Sequence, residues 1–260
     1  MSLVNDRRRV TWASWLLAPM LGFVAVGLAA SAQAQGTPAE AMESDPWESF
    51  NRPVFWFNQQ VDDYVVGPVA QGWKWITPEI LRSSLEHFFD NLNVPIVTVN
   101  SLLQGKPKDA GVGLARFLFN STVGFAGFFD PAASELGLQK VREDFGQTLG
   151  VWGVGSGPYL VIPLIGPSSP RDAVGLGVDG SLAIYPWFVP WFYTFGSRGV
   201  DVVNTRAALD QQIEDSKRSS LDYYVFVRNA FLQYRRALVE DRQAGQSGEY
   251  DDLYDVVPGN

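Results

Sequence analysis

The sequence predicts a mainly α fold with one short β-hairpin, on three observations. Apolar residues recur at the spacing of one helix face along most of the chain. Several of these stretches open on Asp-Pro, Thr-Pro or Ser-Pro, which caps a helix and pre-sets its first turn. Only Tyr159 to Ile165 (YLVIPLI) reads as a strand, forming half of a hairpin.

The first helix opens at Asp45-Pro46-Trp47-Glu48, with Asp45 as N-cap, Pro46 at the first helical position and Glu48 closing a capping box. Trp47, Phe50, Val54, Phe57 and Val61 form one stripe, and Phe55 and Trp56 make a second face apolar. Pro53 lacks a donor and is expected to kink this helix. A second helix starts at Thr77-Pro78, with Leu81, Leu85, Phe88 and Leu92 on one face. A third begins near Pro107 and carries Leu114, Phe117, Leu118 and Ser121. Ser169-Pro170-Arg171-Asp172 is another capped start. The last helix places Tyr224, Val227, Phe231, Tyr234 and Leu238 at helical spacing, beside Arg228, Arg235 and Arg236.

The chain ends read differently. Arg7 to Arg9, the apolar stretch Trp12 to Ala30 and Ala32-Gln33-Ala34 have the layout of a cleavable export signal, residues 1–34. The alternative is an uncleaved anchor, since the apolar stretch approaches spanning length. Residues 35–44 read as a linker, 45–243 as one helical domain, and 244–260 as an acidic, disordered tail. Cleavage would remove three arginines and one aspartate from 20 basic and 28 acidic residues, leaving 17 and 27. So acidic a chain is poorly suited to nucleic acid. The sequence contains no cysteine, which excludes disulfides, thiol chemistry and acylation on a cysteine.

Three stretches depart from an ordinary helical core. Phe117 to Phe129 carries no charge, and Phe145 to Pro170 is uncharged yet too rich in Gly and Pro for a spanning helix. Tyr185 to Phe195 (YPWFVPWFYTF) holds seven aromatic residues and two prolines. Such rings suit a membrane interface, and equally a densely aromatic core. The candidate interface residues are Trp187, Phe188, Trp191 and Phe192 in the third stretch, with Phe125 and Phe128 in the first. Arg198 directly follows the aromatic run, placed either to snorkel toward a phosphate or to pair with Asp201.

No catalytic or metal site emerges. His87, the only histidine, lies beside Phe88 and Phe89 and reads as structural. Neither Ser156 nor Ser197 sits in a nucleophile elbow. Gly175, Gly177 and Gly180 match G-x-G-x-x-G without a preceding strand, so they read as small residues for close helix packing. Asp62-Asp63 reads as a solvated charge run rather than a cation site. One histidine and no cysteine leave no zinc set, and no cofactor is expected.

DPWESFNR with FWFN, ARFLFNSTVGFAGFFDPA (Ala115 to Ala132), EDFGQTLGVWGVGSGPYLVIPLIGPSSPRD (Glu143 to Asp172) and Asn204-Thr205-Arg206-Ala207 resemble, in order, the signature blocks of the VacJ/MlaA family of outer-membrane lipid-asymmetry proteins. The resemblance spans roughly Asp45 to Glu240. It implies a non-catalytic ring of amphipathic helices with a short hairpin, embedded in one membrane leaflet on the periplasmic side of the outer membrane. It further implies an amphipathic channel that removes misplaced phospholipids from the outer leaflet. Its implied partners are phospholipid, a trimeric outer-membrane porin and a periplasmic lipid carrier.

On this resemblance Phe50, Asn51, Phe57 and Asn58 are expected to hold the helix ring together. Arg198 is the candidate headgroup contact. Gly155, Gly157 and Pro158 form a candidate hinge, or else a rigid turn. The family is typically acylated on a cysteine, and this sequence departs from it there; retention would then rest on embedded aromatics, on the porin or on an uncleaved N-terminal segment. Two rival readings stay open, a scaffold that stiffens a porin and a membrane phospholipase dependent on His87.

Overall fold

Asp45 accepts the Trp47 N–H at 2.9 Å, and the first helix, α1 (Glu48–Val61), follows directly. In the computed structural model, which describes residues 45–183 and 190–240, the Glu48 carboxylate turns forward to Arg52 at 2.5 Å instead of closing a capping box. A charged partner one turn along competes well against a backbone N–H. The expected signal segment, linker and acidic tail lie outside the described residues, as do Trp187 and Phe188.

The chain stays helical through Pro53, and the irregularity falls later: hydrogen bonding widens to a π-turn at Asp62–Val66 before α2 (Gly67–Ile76). Next come α3 (Glu79–Leu103), α4 (Pro107–Thr122), the short α5 (Pro131–Ser134) and α6 (Phe145–Val151). Strands β1 (Leu160–Ile162) and β2 (Gly166–Ser168) form the expected antiparallel hairpin, with Val161 opposite Pro167. Then α7 (Pro170–Leu182) starts on Ser169, whose hydroxyl accepts the Asp172 N–H at 3.1 Å. α8 (Trp191–Ala208), α9 (Asp210–Ser219) and α10 (Tyr223–Val239) complete the described chain.

The circuit closes on itself. α2 and α3 both pack on α8, α3 on α4 and α6, α6 on α7, and α10 on α6 and β2. β1 lies on α1, and α10 returns to that same place. There Phe55, Tyr159, Val161 and Tyr224 form the buried apolar cluster, with Tyr224 edge-on to both other rings. Arg52 lies 4.6 Å over the Tyr224 ring and pairs with Asp222 at 2.7 Å, tying the first helix to the last.

The sides of the helices run opposite to the usual rule. Among the described residues, 17 buried side chains are polar or charged and nine are apolar, five of these alanine. Charged residues are almost never fully buried in water-soluble cores. On α3 the buried residues are Ser84, Asn91, Asn100 and Ser101, while Leu81 is exposed. On α4 they are Ala110, Gly113, Arg116 and Asn120, while Leu114 and Leu118 point outward. Along α1 the expected stripe is corrected likewise. Phe50 and Phe57 are about half exposed and do not pack the ring. The inner face, roughly a quarter turn away, carries Asn51 and Phe55.

Candidate functional site

The interior is a frame of buried polar contacts, and most of its ties join elements distant in sequence. Asn51, fully buried, donates to the Tyr159 carbonyl at 2.9 Å and accepts the Val161 N–H at 2.8 Å. Asn58 repeats the pattern, donating to Ile162 O at 3.0 Å and accepting the Leu164 N–H at 2.7 Å. The two asparagines therefore bind helix to hairpin, where helix to helix was expected. They cover the free edge of β1 as a neighbouring strand would.

A second tie joins α6, α7 and α10. Arg235 donates to Asp144 at 2.5 and 3.0 Å and to Asp172 at 2.8 and 3.0 Å. Burial pushes the Asp144 carboxyl up, but the Arg235 guanidinium outweighs it and holds that carboxyl below its usual value. Arg171 completes the cluster through Asp172 at 2.9 Å. The close approach beneath it needs glycine: a Cβ on Gly175 would stand 2.4 Å from the Gly146 nitrogen. The packing reading of the G-x-G-x-x-G stretch thus holds at Gly175, whereas Gly180 faces open space.

A third tie runs through α3, α6 and α7. Asp179 accepts from Asn100 at 2.9 Å and from the Phe145 N–H at 2.9 Å, and Thr148 donates to Asn100 at 2.9 Å. Burial raises the Asp179 carboxyl despite both donors. Asp62-Asp63, read as a solvated run, is instead engaged: Arg206 donates to Asp62 at 2.8 Å and Lys217 to Asp63 at 2.7 Å. The π-turn brings both carboxylates to these cations from α8 and α9.

A fourth tie holds the uncharged loop after α4. Arg116 pairs with Asp130 at 2.5 Å, and Asn120 donates to Asp130 at 2.9 Å while accepting the Ala132 N–H at 3.0 Å. Between them the chain turns so sharply that Phe125 (φ 53°) and Ala126 (φ 58°) both adopt the left-handed conformation. Gly127 (φ 92°) lies so close over Asn91 that no side chain fits. The loop presents Phe125 outward, 73% exposed.

The outer surface is apolar. Trp56, Tyr64, Trp75, Ile76, Ile80, Phe192, Tyr193 and Phe195 are all exposed, Trp75 to 88%. Of the candidate interface residues, Phe125 and Phe192 stand outward, whereas Phe128 is half-buried and stacks on Phe88 at 4.8 Å. Trp191 opens α8. Arg198 is exposed and makes no hydrogen bond or ion pair among the described residues, although its charge reaches Asp201. Gly157 (φ 73°) would bring a Cβ to 3.2 Å from Pro170; Gly155 is exposed and Pro158 half-buried, so the candidate hinge is braced at Gly157. No described helix is long and apolar enough to cross a membrane.

A family profile described as MlaA lipoprotein matches residues 43–238. The chain belongs to this family. It is 39% identical over 196 residues to the intermembrane phospholipid transport system lipoprotein MlaA of Escherichia coli (strain K12), covering 73% of this chain and 76% of that protein. The MlaA of Haemophilus influenzae is 34% identical over 232 residues, covering 86% and 91%. A solved chain, from work on the structural basis for maintenance of bacterial outer membrane lipid asymmetry, superposes with a TM-score of 0.68 at 33% identity. That match covers 75% of this chain and 99% of the other. The family is described as a lipoprotein one, and this sequence has no cysteine to carry the lipid.

Reading the sequence missed the buried and half-buried arginines that carry these ties. Arg116 and Asp130 are 14 residues apart, close enough to suggest a pair. Arg235 and Asp144 are 91 residues apart, and no local spacing signals them.

Proposed function

We propose that this chain is a non-catalytic component of intermembrane phospholipid transport that helps to maintain outer-membrane lipid asymmetry. It removes misplaced phospholipids from the outer leaflet through an amphipathic channel and passes them to a periplasmic carrier. The observation that carries this reading is the inversion of the helices, with polar and charged groups tied together inside and large apolar residues outside. A hydrocarbon surround favours that arrangement, because buried polar groups then satisfy one another and the exposed rings meet lipid. Kinship to proteins named for intermembrane phospholipid transport supports it.

With no helix fit to cross a bilayer among the described residues, the ring lies in one leaflet on the periplasmic side of the outer membrane. Its apolar rim contacts lipid and a trimeric porin. Lacking an acylated cysteine, it is retained by its aromatics, Phe125 and Phe192 among them. Arg198, exposed and without an ion pair, contacts a lipid headgroup.

The test is the phospholipid content of the outer leaflet with and without the gene, with lysophospholipid measured in the same extract. Surface phospholipid that rises on deletion and falls on restoring the gene is the expected result. An unchanged surface, or loss of lysophospholipid instead, defeats the transport reading.

A further inference from the structure

The ten residues of α9, DQQIEDSKRS, include one apolar side chain, Ile213, and none of the ten is buried. A polar helix this short is marginal on its own in water, so its contacts decide whether it stays folded. What ties it to the ring is chiefly a set of ion pairs. Arg206 on α8 donates to Asp210 at 2.8 Å and lies 3.3 Å from Glu214. Lys217 reaches across to the π-turn, to Asp62 at 3.2 Å and Asp63 at 2.7 Å, and Lys74 on α2 approaches Asp210 at 3.9 Å.

The two ends of α9 differ in shielding. The Arg206 side chain, 8% exposed, also holds Asp62 at 2.8 Å and pins the first turn of α9 through Asp210. At the other end Asp63 and Glu214 are 46% and 40% exposed, so dissolved ions screen the partners of Lys217. The chain after α9 has slack, since Ser220 is extended and Leu221 is fully exposed. α10 keeps its place without α9, because Tyr224 is buried against Phe55 and Tyr159.

We infer that α9 is a strap across the π-turn that lifts and melts from its Lys217 end as ionic strength rises, while the ring stays closed. Lifting frees Asp63 and leaves Asp62 to Arg206 alone. The order of the α1–α2 junction then follows the ion content of the surrounding water. This salt response belongs to the chain itself and stands whether or not lipid is transported.

The full chain, purified in a nonionic detergent, is followed by hydrogen exchange at about 0.1 M and about 1 M sodium chloride, between which the screening length falls from about 10 Å to about 3 Å. Amides of residues 214–219 are expected to exchange about fivefold faster at the higher salt, with the Val161 amide and those of α7 unmoved. Lys217→Gln should exchange rapidly at both concentrations and keep little salt response. Arg218→Gln removes the same charge from the same helix, but from an exposed side chain without an ion pair among the described residues, and should behave as wild type. Exchange at 214–219 that ignores salt in wild type, or a full wild-type response in Lys217→Gln, overturns the strap. Acceleration shared equally by the Val161 and α7 amides overturns it too, because the ring then opens as a whole.

Discussion

Asn51 and Asn58 stand seven residues apart on α1, and each binds a peptide segment of the same strand edge, Tyr159–Val161 for the first and Ile162–Leu164 for the second. Seven residues advance a helix by about 10.5 Å, and three residues advance a strand by about 10 Å. The two periods coincide, so two amide side chains dock a helix along a hairpin without a third strand. This explains why the D-P-W-E-x-F-N-R block and the Gly-Pro block stand out together: they are two halves of one joint.

Asn51→Leu removes the acceptor of the buried Val161 N–H and the donor to Tyr159 O. Each orphaned group costs about 1–3 kcal/mol. The expected outcome is a lower melting temperature and faster hydrogen exchange at the Val161 amide. Asn58→Leu should do less, because its end of the hairpin is partly solvated. Unaltered exchange at Val161 in the Asn51 variant would sink the joint.

Arg235→Gln leaves Asp144 without its cation and Asp172 with Arg171 alone. Removing one partner of a fully buried pair costs about 3–5 kcal/mol, and with the Asp144 side chain about a third exposed the loss at neutral pH should fall between that and the roughly 1 kcal/mol of an exposed pair. The pH dependence has a definite sign. Asp144 is held below its ordinary 3.8 when folded, so the stability it supplies is complete above that value and is lost as pH falls through the lower folded one. Unfolding followed from pH 7 downward should show the variant's deficit shrinking below about pH 4. A deficit constant across that range would mean that the ion pair is not its source.

Two glycines of α7 should respond oppositely to the same substitution. Gly175→Ala drives a methyl into the Gly146 backbone and should destabilise the fold or prevent it. Gly180→Ala meets nothing within 4 Å and should gain about 0.5–1 kcal/mol from helix propensity. Denaturant melts of both variants decide it; equal losses would contradict the close crossing of α6 and α7.

The loop at Phe125 separates strain from membrane contact. Ala126→Gly relieves a left-handed alanine and should stabilise by about 1 kcal/mol without changing vesicle binding. Phe125→Ser should leave the melting temperature in detergent nearly unchanged but weaken flotation with phosphatidylglycerol vesicles by roughly tenfold or more, the worth of burying one phenyl ring. Undiminished flotation would place Phe125 away from lipid.

Much of this architecture was legible in the chain itself. The starts near Asp45, Pro78, Pro107 and Ser169 located helices because they depend on residues within one turn, although Ser169 alone of these caps its helix with its side chain and the expected cap at Asp45 gives way to Trp47. The strand at Leu160 was legible because its apolar run is bounded by Gly and Pro. Family membership was legible because its blocks are contiguous. By itself, then, the sequence determined the mainly helical class, five of the helices with their order, the hairpin strand and the absence of cysteine.

Only the tertiary structure decided which way the helices face. Periodicity gives the angular position of a stripe but not the medium beyond it. The expectation that the α1 stripe packs the ring therefore misplaced Phe50 and Phe57, and Asn51, expected to hold helix to helix, instead ties α1 to the hairpin. The same holds for Arg116, Arg206 and Arg235, ordinary surface cations in a linear reading. Their shielding, and distant carboxylates such as Asp62 for Arg206 and Asp144 for Arg235, arise when the helices close into a circuit. Inside that circuit polar groups have only one another for hydrogen bonds, and this need sets the orientation of every helix around it.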